Sequence, residues 1–203
     1  MFKTIVSLNY LLIMSVGLQA ADRPEIGKQA PTNVVGTFVP GGWSEKQHSV
    51  CAVLAHRKEQ KVAIFARALN DNVMQLTAAI DKVVAENSTL KWSFLLVSHE
   101  NSPTPNEEVW DAELLRLKQS VAEQKIKHLA AGLMIRVPDE SKPSRAKRQI
   151  GVFDEGDLVV MLIRPEAGSY GVIREVSVLQ SEKLTAEDLE IVAQKMAAAA
   201  NDH

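Results

Sequence analysis

Residues 61–67, KVAIFAR, run straight into residues 68–73, ALNDNV. The first stretch is rich in β-branched and aromatic residues and alternates only weakly, which is the pattern of a strand covered on both faces. The second offers Asp71 as a helix cap, followed by Val73, Leu76, Ile80 and Val84 on one helical face and Asn87-Ser88 as the stop. A buried strand feeding a capped helix commits the chain to an α/β architecture. It also marks the crevice at the carboxyl end of a strand, where such folds place their ligands.

The rest of the chain extends that pattern. Residues 33–38 read as a short entry strand closed by Pro40-Gly41-Gly42. Residues 44–60 bunch their apolar members, Val50 to Leu54, and fit either a short helix or a buried turn. Residues 92–97 form a second strand, followed by a polar loop over 99–105. Thr104, Pro105 and Glu107 then make a capping box for a helix whose inner stripe is Trp110, Leu114, Leu117 and Val121. Residues 129–137 are a further strand, and 138–148 a polar segment with Lys142, Arg145, Lys147 and Arg148, read as a solvated charge run. The most apolar run, LVVMLIR at 158–164, pairs with 171–179 as a hairpin whose second strand is half exposed or at an edge. Thr185 caps a last helix, with Glu187 and Asp188 in its first turn and Leu184 placed to meet Leu189. Alternating strands and helices on short connections predict one central sheet with helical cover on both faces.

The first twenty of the 203 residues stand apart. Lys3, the apolar run 5–17 and the small residues at Gln19-Ala20-Ala21 make a secretory signal, because the run is too short for a comfortable membrane span. The expected organisation is a signal peptide at 1–20 and one domain at 21–203, exported to the periplasm or the exterior without a stable membrane span. A net charge of −2 exerts no long-range pull on nucleic acid. Cys51 is the single cysteine, so no internal disulfide forms, and the core must hold the fold.

The order β-α-β-α-β, linker, hairpin, helix resembles the thioredoxin-like fold, a three-layer α/β/α sandwich around a mixed sheet. Ile26-Gly27-Lys28-Gln29-Ala30-Pro31 resembles the entry segment of its peroxiredoxin and TlpA-type branches. Cys51 with KVAIFAR, and DLVVMLI followed by KLTAEDLEIVAQKM, are similar to exported bacterial members often seen in planctomycetes. The resemblance implies a Cys-x-x-Cys directly after the strand matching KVAIFAR, where a helix N-terminus activates the first thiol. Leu69-Asn70-Asp71-Asn72 stand there instead. The family's cis-proline position is matched by Glu155-Gly156-Asp157. Dithiol exchange is therefore excluded at that site.

Two functions remain. One is a non-catalytic binding module whose surface, formed by Arg67, Asn70, Asp71, Asn72 and Asp157, contacts a protein or small-molecule partner. The other is a single-cysteine redox protein or sensor acting through Cys51, with His48 and His56 as neighbours; on a helix, His48 would share its face and His56 would not. Against this stands the reading of Cys51 as a small buried apolar residue. Cys51 and the two histidines do not make a zinc set, and no cofactor motif is present. His99, Glu100, Asp81 and Glu86 read as surface positions rather than an acid–base pair.

Overall fold

The computed structural model describes residues 24–32, 34–98, 107–135 and 156–202. The expected signal peptide, the Thr104–Pro105 helix start, the basic segment 138–148 and Glu155 lie outside these residues. Among these residues seven strands form one mixed sheet: β1 (Val35–Phe38), β2 (His48–Val50), β3 (Lys61–Ala66), β4 (Phe94–Ser98), β5 (Ala130–Ile135), β6 (Leu158–Arg164) and β7 (Val172–Leu179), in the spatial order β2-β1-β5-β4-β3-β6-β7. β3, β4 and β5 run parallel, whereas β6 is antiparallel to β3, β7 to β6, β1 to β5 and β2 to β1. Among the described residues the α-helices are α1 (Ala52–Ala55), α2 (Asp71–Glu86), α3 (Glu107–Glu123) and α4 (Ala186–Asn201).

All six residues of β3 are buried, and so are Leu158–Ile163 of β6. Strand periodicity divides them between two cores. Val62, Ile64, Ala66, Val160 and Leu162 meet Leu76 and Ile80 of α2, Leu117 of α3 and Met196 of α4 on one face. Ala63, Phe65, Val159, Met161 and Ile163 meet Phe38, Ala52, Val53 and Phe94 on the other. The entry segment runs beside β7, with Gly27 N–H donating to the Ile173 carbonyl at 2.8 Å and Ala30 N–H to Gly171 at 2.9 Å.

Residues 44–60 hold both a strand and a single helical turn, β2 and α1. The bunched apolar residues reflect the change of direction: Val50 ends a strand, while Ala52 and Val53 insert into the second core. Asp81 is buried at 6% exposure rather than set on the surface. Its carboxylate accepts from the N–H groups of Lys127, His128 and Leu129 at 3.1, 2.7 and 2.8 Å, so α2 fixes the entry to β5. The expected cap of the last helix is present, and Asp188 completes a capping box by accepting from Thr185 N–H at 2.9 Å.

Candidate functional site

The end of β3 and the start of α2 are joined to two other elements through one serine. Asn70 has extended backbone (φ −141°, ψ 173°), and its Oδ1 accepts from Val73 N–H at 2.9 Å. Asn70, not Asp71, is therefore the cap. Asp71 is the first helical residue, exposed, with its charge at the positive end of the helix dipole. The amide nitrogen of Asn70 serves a second partner: Nδ2 donates to Ser181 Oγ at 2.8 Å. Asn72 Nδ2 donates to the Ser181 carbonyl at 2.7 Å. Ser181 in turn donates from its N–H to Asp157 Oδ1 and from its hydroxyl to Asp157 Oδ2, both at 2.6 Å. Arg67 N–H reaches the Asp157 carbonyl at 2.7 Å.

Arg67, Asn70, Asn72 and Asp157 are thus brought together, with Asp71 on their outer side. Ser181, 2% exposed, is the hub, and sequence reasoning missed it. It stands in a polar stretch, Gln180-Ser181-Glu182-Lys183, whose only sequence signal is a linker; its importance comes from contacts more than 100 residues away in the chain. Gly156 permits the close approach of the end of β7 just before this linker, since a Cβ there would lie 2.4 Å from the Leu179 carbonyl oxygen.

This knot sits at the carboxyl end of a parallel β3-α2-β4 unit, flanked by the antiparallel β6–β7 hairpin that leads into α4. The fold is thioredoxin-like. No protein-family model and no curated protein matches the chain. Among solved structures it is similar to the thioredoxin domain of a thiol-disulfide oxidoreductase from Bacteroides vulgatus, at 15% identity and TM-score 0.49, covering 85% of this chain and 98% of that one. It is also similar to a peroxiredoxin-like protein from Aquifex aeolicus, at 14% identity and TM-score 0.48 over 87% and 90% of the two chains. A putative thiol:disulfide interchange protein from Chlorobium tepidum gives 14% identity and TM-score 0.48 over 88% and 99%.

Cys51 is not part of the knot. It packs against the second core, on the sheet face opposite to the one that α2 and α4 cover. The thiol is half-buried and donates to the Thr32 carbonyl at 3.1 Å. Burial pushes its pKa up; nearby backbone N–H groups and the Lys61 cation oppose that shift without cancelling it. The expected helical face shared by His48 and Cys51 does not form, because His48 lies in β2 and Cys51 is the residue before a one-turn helix. His48 Nδ1 bonds the Lys46 carbonyl at 2.8 Å. His56 stacks on Trp92, with ring centroids 3.9 Å apart and planes 12° from parallel, while Trp43 meets it edge-on at 4.8 Å. Desolvation in this aromatic setting lowers the His56 pKa. No cluster of three metal-ligating side chains occurs among the described residues.

At the start of β3 lies a group that sequence reasoning did not single out. Lys61 is fully buried, and its ammonium donates to the Glu59 carbonyl at 2.8 Å. Desolvation brings its pKa down to about 8. A lysine opening a strand reads as an exposed end; here it is fully buried, with the charges of Glu59 and Cys51 acting on it.

Proposed function

We propose that this chain is an exported binding module that keeps a thioredoxin-like scaffold and has given up dithiol chemistry. The observation that supports this reading is the start of α2. Where an activated thiol would draw on free helix N–H groups, Asn70 accepts from Val73 N–H and the surrounding amides and carboxylate are satisfied by Ser181. Such a network resists rearrangement, because opening it strands several polar groups at once. It forms a rigid ledge, with Ala68 and Asp71 on its exposed side. Arg67, Asn70, Asp71, Asn72 and Asp157 define the proposed contact surface for a protein or small-molecule partner. Export rests on the signal pattern of residues 1–20, and no helix among the described residues is long and apolar enough to cross a membrane.

The competing reading, thiol redox chemistry at Cys51, has the thiol's environment against it. Burial disfavours the thiolate, which is the reactive form. A photocrosslinking residue at Ala68 tests the module directly in the native host, with Lys118 on the exposed side of α3 as control. A discrete adduct from position 68 and none from 118 is expected, together with no insulin reduction by the purified protein. Identical adducts from both positions, or none from 68, would remove the proposed surface.

A further inference from the structure

At the opposite end of β3 from the knot, a cleft of about 560 Å³ opens between the α1–β3 connection and the β6–β7 turn. Arg57 and Lys58 line one side, and residues 165–170 the other. Both cations are exposed, and among the described residues neither side chain has a hydrogen bond or an ion pair. The one carboxylate lining the cleft, Glu166, is 4.0 Å from the guanidinium of Arg174, which lies outside the lining. Among the described residues the lining therefore sets two cations, Arg57 and Lys58, against one carboxylate. The cleft is positive on a chain whose net charge is negative.

The far wall is ordered. Ser169 N–H donates to the Glu166 carbonyl at 3.1 Å, Ser169 Oγ accepts from Gly171 N–H at 3.1 Å, and Gly168 holds the turn with φ +80°. These bonds close a tight loop and present Tyr170, a large aromatic side chain left 43% exposed. The volume lies within the range of small-molecule sites.

We infer that this cleft binds a small organic phosphate monoester, its phosphate between Arg57 and Lys58 and its apolar body against Tyr170. A guanidinium fork and a point-charge ammonium suit a tetrahedral dianion, whose three terminal oxygens can meet both at once. A carboxylate is satisfied by the fork alone. The aromatic ring adds a contact that inorganic phosphate cannot use. This site is separate from the proposed partner surface, and neither depends on the other.

Titration of the purified protein with phenyl phosphate, inorganic phosphate and benzoate, followed by amide chemical shifts, tests the assignment. Phenyl phosphate is expected to saturate, to shift the amides of residues 57–58 and 168–171, and to bind more tightly than the other two. Replacing both cations (R57Q with K58Q) should weaken it about tenfold or more, the size of one lost charge-assisted hydrogen bond. Y170A should bring phenyl phosphate down to the affinity of inorganic phosphate. Both cations and the tyrosine are exposed, so unchanged shifts elsewhere will show that the variants keep the fold. Shifts confined to other regions, equal affinity in the R57Q/K58Q protein, or benzoate binding as tightly as phenyl phosphate would each overturn the proposal.

Discussion

Lys61 and Cys51 lie on the same side of the sheet and influence each other's charge, yet burial acts on them in opposite directions. For Lys61 burial disfavours the cation, placing the folded-state pKa at about 8 against an ordinary 10.5. Between those values the unfolded chain binds more protons than the native one, so stability rises with pH across the window and the full penalty of a buried charge is present below it. Lys61→Met should therefore stabilise the protein by about 1–3 kcal/mol at pH 7, in line with other replacements of buried charge by apolar volume. That advantage should shrink as pH approaches 10. Denaturant midpoints of both proteins at pH 7 and 9.5 would show it, and a gap that stays constant would mean the lysine is not desolvated. For Cys51 burial disfavours the thiolate. Native protein should react slowly with a thiol reagent at neutral pH and rapidly once unfolded. A fast native reaction below about pH 7.5, a full unit under the free-thiol value of about 8.5, would restore the redox reading.

Where one element hands over to the next, a single residue often decides the joint. Sequence pattern places the start of α2 to within one position but assigns the cap to Asp71, since either Asp or Asn serves there. The extended backbone of Asn70 settles the matter, and only the fold shows that Asn70 also reaches Ser181. Asn70→Ala should cost about 1–2 kcal/mol through the lost cap. Ser181→Ala should cost about 1–3 kcal/mol, because the Asp157 carboxylate and the Asn70 amide each lose a buried partner. The two changes share one network, so the double variant should lose less than the sum. Additive losses in urea unfolding would show that the knot is a set of independent contacts. The last strand, β7, follows the same local logic: the entry segment pairs with its outer side at Val172 and Ile173, Val176 N–H is 3.2 Å from its neighbour's carboxylate, Glu175 Oε1, and a register shift near Leu162/Ile163 interrupts the ladder to β6. These features blunt an edge against pairing with another chain.

Across the whole molecule, what the sequence makes legible is what burial repeats. β3 and β6 carry apolar residues at nearly every position because both faces are covered, and their bounds are readable to within a residue. The missing thiols at the β3–α2 junction are equally plain. The Ser181 hub, the stacking of His56 on Trp92 and the burial of Lys61 depend on pairings between distant segments that no local pattern records. The central place of β6 yields the sharpest test of the assembled sheet. Val160 is fully buried, paired with Ile64 on one side and Ser177 on the other, and its side chain belongs to the core shared by α2, α3 and α4. Val160→Asp puts an unpaired carboxylate into that core. The cost is expected to reach about 4–5 kcal/mol or more, close to the entire stability of a marginal domain, and the variant should lack a cooperative thermal transition. Ile191→Asp is the matched control: the same charge on α4, at a position 42% exposed, should leave the melting curve nearly unchanged. If the Val160 variant melts cooperatively near the wild-type temperature, β6 cannot occupy the centre of the sheet, and the junction at β3, which takes its place from that pairing, would have to be assigned again.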